Sequence, residues 1–134
     1  GLTTAPTIPA QPEQTPQADW VSVPLIRVAH ARSGDKGNHS NIGLIARRRE
    51  DLPLLRAQIT PAAIQAYLAH LVKGPVTRFE VPGIGAMNFL CEDALDGGGM
   101  SSLRNDPLGK GMGQIVLTMP VRVPPEHPAA QTDR

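Results

Sequence analysis

Hydrophobic and polar positions along the chain fall into short segments. Between Pro24 and Arg32, "PLIRVAHAR" alternates as a strand does, with Ile26, Val28 and His30 on one side and Leu25, Arg27, Ala29 and Ala31 on the other. "NIGLIAR" from Asn41 gives a second strand with Ile42 and Leu44 on one face, and the polar stretch between the two predicts a wide-mouthed antiparallel hairpin. "TPAAIQAYLAHLVKGP" is the clearest helix. Thr60 is its N-cap, Pro61 takes the first helical position, Ile64, Tyr67, Leu68, Leu71 and Val72 follow at helical spacing, and Gly74-Pro75 supplies the stop. "VTRFEV", Val76 to Val81, predicts a third strand ended by Pro82, with Gly83 and Gly85 allowing a bend. Met87, Leu90, Cys91, Ala94 and Leu95 recur at helical intervals and predict a second short helix with Gly97 as its C-cap. The stretch from Met100 reads as a hairpin turning at "NDPLGKG", with a long final strand from Gln114 to Val123.

The order ββαβαββ predicts an α+β fold, a mainly antiparallel sheet with two helices on one face. It lacks the regular βαβ alternation of a parallel dinucleotide-binding fold. Residues 1–19, rich in Pro, Thr and Gln, read as a flexible tail, and residues 125–134 as another, because neither buries enough apolar surface to offset its ordering entropy. Residues 20–124 form the one folded domain that a 134-residue chain of 40% hydrophobic composition can support.

Aromatic residues make up only 3% of the chain, so the core is built from aliphatic side chains and methionine, and a base-stacking nucleic-acid surface has no material. A formal charge of +1 gives no general attraction to nucleic acid or anionic membranes. Arg47, Arg48 and Arg49 run directly into Glu50 and Asp51, the pattern of a solvated surface. Cys91 is the single cysteine, so no intrachain disulfide forms. No apolar run reaches the roughly 20 residues that span a bilayer, and the N-terminus lacks the layout of a secretory signal. The expected location is cytoplasmic. A start at Gly1 fits a processed terminus or a piece of a longer protein.

Two polar stretches carry the candidate chemistry. In the first, Ser33, Gly34, Asp35, Lys36, Gly37, Asn38 and Asn41 combine a cation, glycine-freed backbone amides and small hydrogen-bonding side chains, which suits a phosphate or carboxylate ligand. The same residue types also make ordinary turns. In the second, "RNDPLGKG", the composition repeats. If the two stretches converge, Lys36, Arg104 and Lys110 hold one anionic group while Asp35 and Asp106 orient them or accept a proton. Standard nucleotide motifs fail: Gly111 follows Lys110 where a phosphate-binding loop needs Ser or Thr, and "GIGAMN" lacks a third fingerprint glycine. The histidines at 30, 39, 70 and 127 share no metal-ligand spacing, so no metal or other cofactor is expected. Cys91 reads as a small core residue.

"ARSGDKGNHSNIGLIARR" and "YLAHLVKGPVTRFEVPGIGAMNFLCEDALDGGGMSSLRNDPLGKGMGQIVL" together resemble the small C-terminal domain of acyclic terpene utilisation AtuA-like proteins, over about residues 25 to 123. The resemblance implies a ferredoxin-like sandwich and a link to catabolism of terpenoid or branched acyl compounds, commonly carried as CoA thioesters. Its motif positions correspond to Ser33 to Gly37, Asn41, Arg104, Asp106, Gly109 and Lys110, and it assigns none of them a catalytic role. Relatives carry a large N-terminal domain ahead of this one, so the chain is expected to be a small subunit or a portion of a larger protein. Two functions follow. One is an accessory or site-completing unit paired with a larger AtuA-like chain or with itself, and the other is a self-contained enzyme acting on an acyl-CoA or carboxylated substrate.

Overall fold

A computed structural model of the protein describes residues 14–36, 39–81, 83–94 and 111–131. Its elements are β1 (Val21–Pro24), β2 (Ala29–Lys36), β3 (His39–Ala46), α1 (Leu52–Gln58), α2 (Pro61–Tyr67), β4 (Val76–Val81), β5 (Ala86–Cys91), α3 (Met112–Val116), β6 (Pro120–Val123) and α4 (Pro128–Gln131). Four strands form an antiparallel sheet in the order β2-β3-β5-β4, and β1 pairs with β6 in a separate two-stranded sheet. The fold is α+β.

One face of the larger sheet is packed. Ala29 on β2, Ile42 and Leu44 on β3, and Met87, Phe89 and Cys91 on β5 alternate inward and are buried, against Ile64 of α2 and Met112 and Val116 of α3. Burying one such large side chain is worth about 1.5–3 kcal/mol, which is why the strand period decides which residues face the helices. Helix α2 starts as its sequence predicts: Pro61 takes the first position, and the Thr60 hydroxyl accepts the Ala63 N–H at 3.1 Å.

Several expectations are corrected. The strand expected from Pro24 to Arg32 breaks into β1, a 3-10 turn at Leu25–Arg27 and β2, so Val28 and Ala29 are both buried and Ile26 is exposed. Helix α2 ends at Tyr67 rather than at Gly74. Gly74 serves close approach instead, since a β-carbon there would stand 2.7 Å from the Glu92 carbonyl oxygen. The helix expected around Met87 to Leu95 is the strand β5, with its burial alternating at Met87, Phe89 and Cys91. The apolar run between those positions also fits helical spacing, and only its place inside the sheet decides the matter. The long final strand is instead α3 followed by the short β6. Leu95 and the "NDPLGKG" turn up to Lys110 lie outside the described residues.

Helix α1 has no counterpart in the sequence-based reading. Its apolar side is short, Leu54 and Leu55, and a neighbour closes its end: the Arg78 guanidinium donates to the Arg56 and Ile59 carbonyls at 2.8 and 3.0 Å. The C-terminal segment, expected as a tail from residue 125, packs at least through residue 131. His127 and Ala129 are buried. The Ala129 N–H donates to His127 Nδ1 at 2.9 Å, so Nε2 carries the proton and donates to both Asp51 carboxylate oxygens, at 2.9 and 3.0 Å. This joins the last helix to the start of α1. Of the N-terminal tail, Gln14 donates its N–H to the Pro53 carbonyl at 3.0 Å.

Two stability predictions follow from this packing. Phe89→Ala should cost about 3–5 kcal/mol and Phe79→Ala, on the other face, less than about 1 kcal/mol, read by urea unfolding with the single tryptophan, Trp20, as fluorophore. His127→Ala should cost about 1–3 kcal/mol in the same assay by leaving the buried Asp51 carboxylate without its donor, whereas an unpacked tail would show no change.

Candidate functional site

The first polar stretch is not a wide loop. The β2–β3 ladder runs unbroken from Ala29 opposite Ala46 to Lys36 opposite His39, which leaves only residues 37 and 38 to connect the strands. Its residues therefore alternate between the two faces. Gly34 and Asn41 pair and face away from the helices, while Ser33, opposite the buried Ile42, lies on the packed side. Asp35 and Lys36 occupy β2 opposite Ser40 and His39. Gly37, Asn38, Arg104, Asp106 and Lys110 lie outside the described residues.

Ser33 meets the end of the second polar stretch. A β-carbon on Gly111 would stand 2.8 Å from Ser33 Oγ, and one on Gly113 would stand 3.2 Å from it. Gly111 also holds a φ of 91°, which side-chain-bearing residues rarely adopt. Further along the packed side, Ser40 Oγ is buried with no hydrogen-bond partner among the described residues, opposite Cys91. Burial pushes the Cys91 thiol up to about 11, so it stays protonated at neutral pH and is no nucleophile.

The open face of the sheet presents three register rows. His30, Ile45, Ala86 and Val81 form one; Arg32, Gly43, Asn88 and Phe79 the next; Gly34, Asn41, Leu90 and Thr77 the third. A groove of about 320 Å³ crosses them. Gly34, Gly43 and Ala86 make its floor, Ile45, Val81 and Ile84 its apolar wall, and Arg32, Asn41 and Asn88 its polar end. Asn88 lies across Gly43, where a β-carbon would stand 3.2 Å from its Oδ1. Phe79 and Ile84 are 50% and 56% exposed, the highest values among the described large hydrophobic side chains.

Charge on this face is one-sided. Among the described residues its three rows carry His30 and Arg32 and no carboxylate, with His39 further along β3 on the same side: Glu80 pairs with Arg56 and Arg78, Glu50 with Arg48, and Asp51 with His127. Arg27, Arg47, Arg49 and Arg78 donate to backbone carbonyls, whereas Arg32 makes no hydrogen bond or ion pair among the described residues. No group of side chains among the described residues is arranged to hold a metal ion, and no helix there is long and apolar enough to cross a membrane.

Of the residues singled out from sequence, Ser33, Gly34 and Asn41 line this groove. Arg32, Gly43, Asn88, Ile45 and Ile84 were missed. The signal that could have found them is alternation in "AMNFLC" read as a strand, which sets Asn88 outward between Met87 and Phe89.

Residues 23–122 match the family model of the AtuA ferredoxin-like domain. No curated protein and no solved structure matches the chain.

Because Cys91 is enclosed and held in its thiol form, it should resist labelling by an aromatic disulfide reagent at pH 8 in the native protein. In denaturant it should react at the rate of a free cysteine, and fast native labelling would contradict the assignment.

Proposed function

The chain belongs to the AtuA ferredoxin-like domain family, with its ferredoxin-like α+β fold, and on that premise we propose that it is a small accessory or site-completing unit that lays its open sheet face against a larger AtuA-like chain. Its setting is the catabolism of terpenoid or branched acyl compounds. The observation that carries this reading is the face itself. An antiparallel sheet can leave one side to water, but such a side is ordinarily polar, and here Phe79, Ile84, Val81 and Ile45 line it around a groove. Pairing with a second copy through the same face would set Arg32 and His30 near their equivalents, so a partner with acidic groups fits better.

The approach of Gly111 to Ser33 favours a second reading, a self-contained enzyme on an acyl-CoA or carboxylated substrate. There Ser33 and Gly37 would shape the site, Lys36, Arg104 and Lys110 would hold the anion, and Asp35 or Asp106 would move a proton.

Native mass spectrometry of the untagged chain, recovered gently from its own cells, separates the two. The accessory reading expects a complex with a larger polypeptide that sequencing identifies as AtuA-like, and Phe79→Asp with Ile84→Asp should weaken that assembly by at least about tenfold. Recovery solely as a monomer or homo-oligomer, with turnover of an acyl-CoA that Lys36→Ala abolishes, would replace it with the enzyme reading.

A further inference from the structure

From the same face we infer that the groove is a binding site for a small amphipathic monocarboxylate, a free acid with a short apolar body. This deepens the accessory reading and rests on it only for biological setting, because the site is complete on one chain. Arg32 is the one cation lining the groove, and its guanidinium makes no hydrogen bond or ion pair among the described residues. A guanidinium accepts a carboxylate through two parallel N–H donors. Asn88 stands across Gly43 from Arg32 and Asn41 lies two residues from Gly43 along β3, and neither side-chain amide makes a hydrogen bond among the described residues. Three polar side chains without partners among the described residues thus line a groove shared with Ile45, Val81, Ile84 and Ala86.

The floor sets the thickness of the occupant. Arg32 pairs with Gly43 and Gly34 with Asn41, so the two glycines sit diagonally beside each other with no side chains between the polar end and the sheet backbone. A β-carbon on Gly34 would meet nothing within 4 Å. An occupant can therefore lie flat on the strands. The charge count sets its class, since one cation among the lining residues matches one negative charge. The CoA thioester of a monocarboxylic acid has several phosphate charges and no free carboxylate at its acyl end, and the groove offers it neither the charge nor the donor pattern.

The test uses the isotopically labelled full chain, titrated with hexanoate and followed by amide NMR. Hexanoate should produce saturable shifts at the backbone amides of Gly34 and Gly43 and the side-chain amides of Asn41 and Asn88, with a Kd of about millimolar order for so open a site. Arg32→Gln should weaken binding about tenfold or more, and Gly34→Val, which fills the floor in a residue suited to a strand, should weaken it as well. Hexanol at equal concentration should leave the Asn41 and Asn88 signals in place. The inference is overturned if hexanoate gives no saturable shift, if hexanol shifts those signals equally, if Arg32→Gln binds as the native chain does, or if hexanoyl-CoA binds the same residues more tightly than hexanoate. The titration needs no partner and the assembly measurement needs no ligand, so either reading can fail alone.

Discussion

The register between β3 and β5 governs everything else in this molecule. Ile42 stands opposite Phe89 and Leu44 opposite Met87, all four buried beneath the helices. The same pairing places Gly43 opposite Asn88 and Asn41 opposite Leu90 on the far side. Side chains on a strand alternate, so a slip of one residue would exchange the two sets. It would drive Asn88 into the core and expose Phe89. The apolar core therefore holds the polar end of the groove in place without touching it, and the open face inherits its geometry from the packed one.

Arginine makes the division of labour visible. Arg78 closes the end of α1 from β4, Arg49 reaches the Gly83 carbonyl in the turn between β4 and β5, and Arg27 holds the Ala129 carbonyl of the last helix. These groups knit elements together. Arg32 stands apart from them, with no hydrogen bond or ion pair among the described residues and no carboxylate in its register row, which is why a negative charge from outside the chain is the natural complement.

How much of this the sequence disclosed depended on whether local pattern and final environment agreed. Thr60 and Pro61 mark the start of α2 because capping is a local interaction, and Ile42 and Leu44 mark β3 because one of its faces is packed. "AMNFLC" misled because β5 lies inside the sheet and is partly covered on both sides, which blurs the alternation that distinguishes a strand. Helix α1 was hidden for a related reason: its end is completed by Arg78, a residue far along the chain. His127 gave no local sign of its pairing with Asp51, since a buried contact across 76 positions leaves no periodicity. In the site, Ser33, Gly34 and Asn41 were legible as unusual residue types, whereas Arg32 and Asn88 became significant only once the register set them in one row.

The small sheet made by β1 and β6 has a consequence for architecture. Val21 pairs with Val123 and Pro24 with Pro120, so the first and last strands of the fold lie side by side, and the chain packs on beyond both, at Gln14 against Pro53 and through α4. Because the first strand pairs with the last in a sheet of two, loosening either one opens the same ladder, and the two ends of the fold lose their order together.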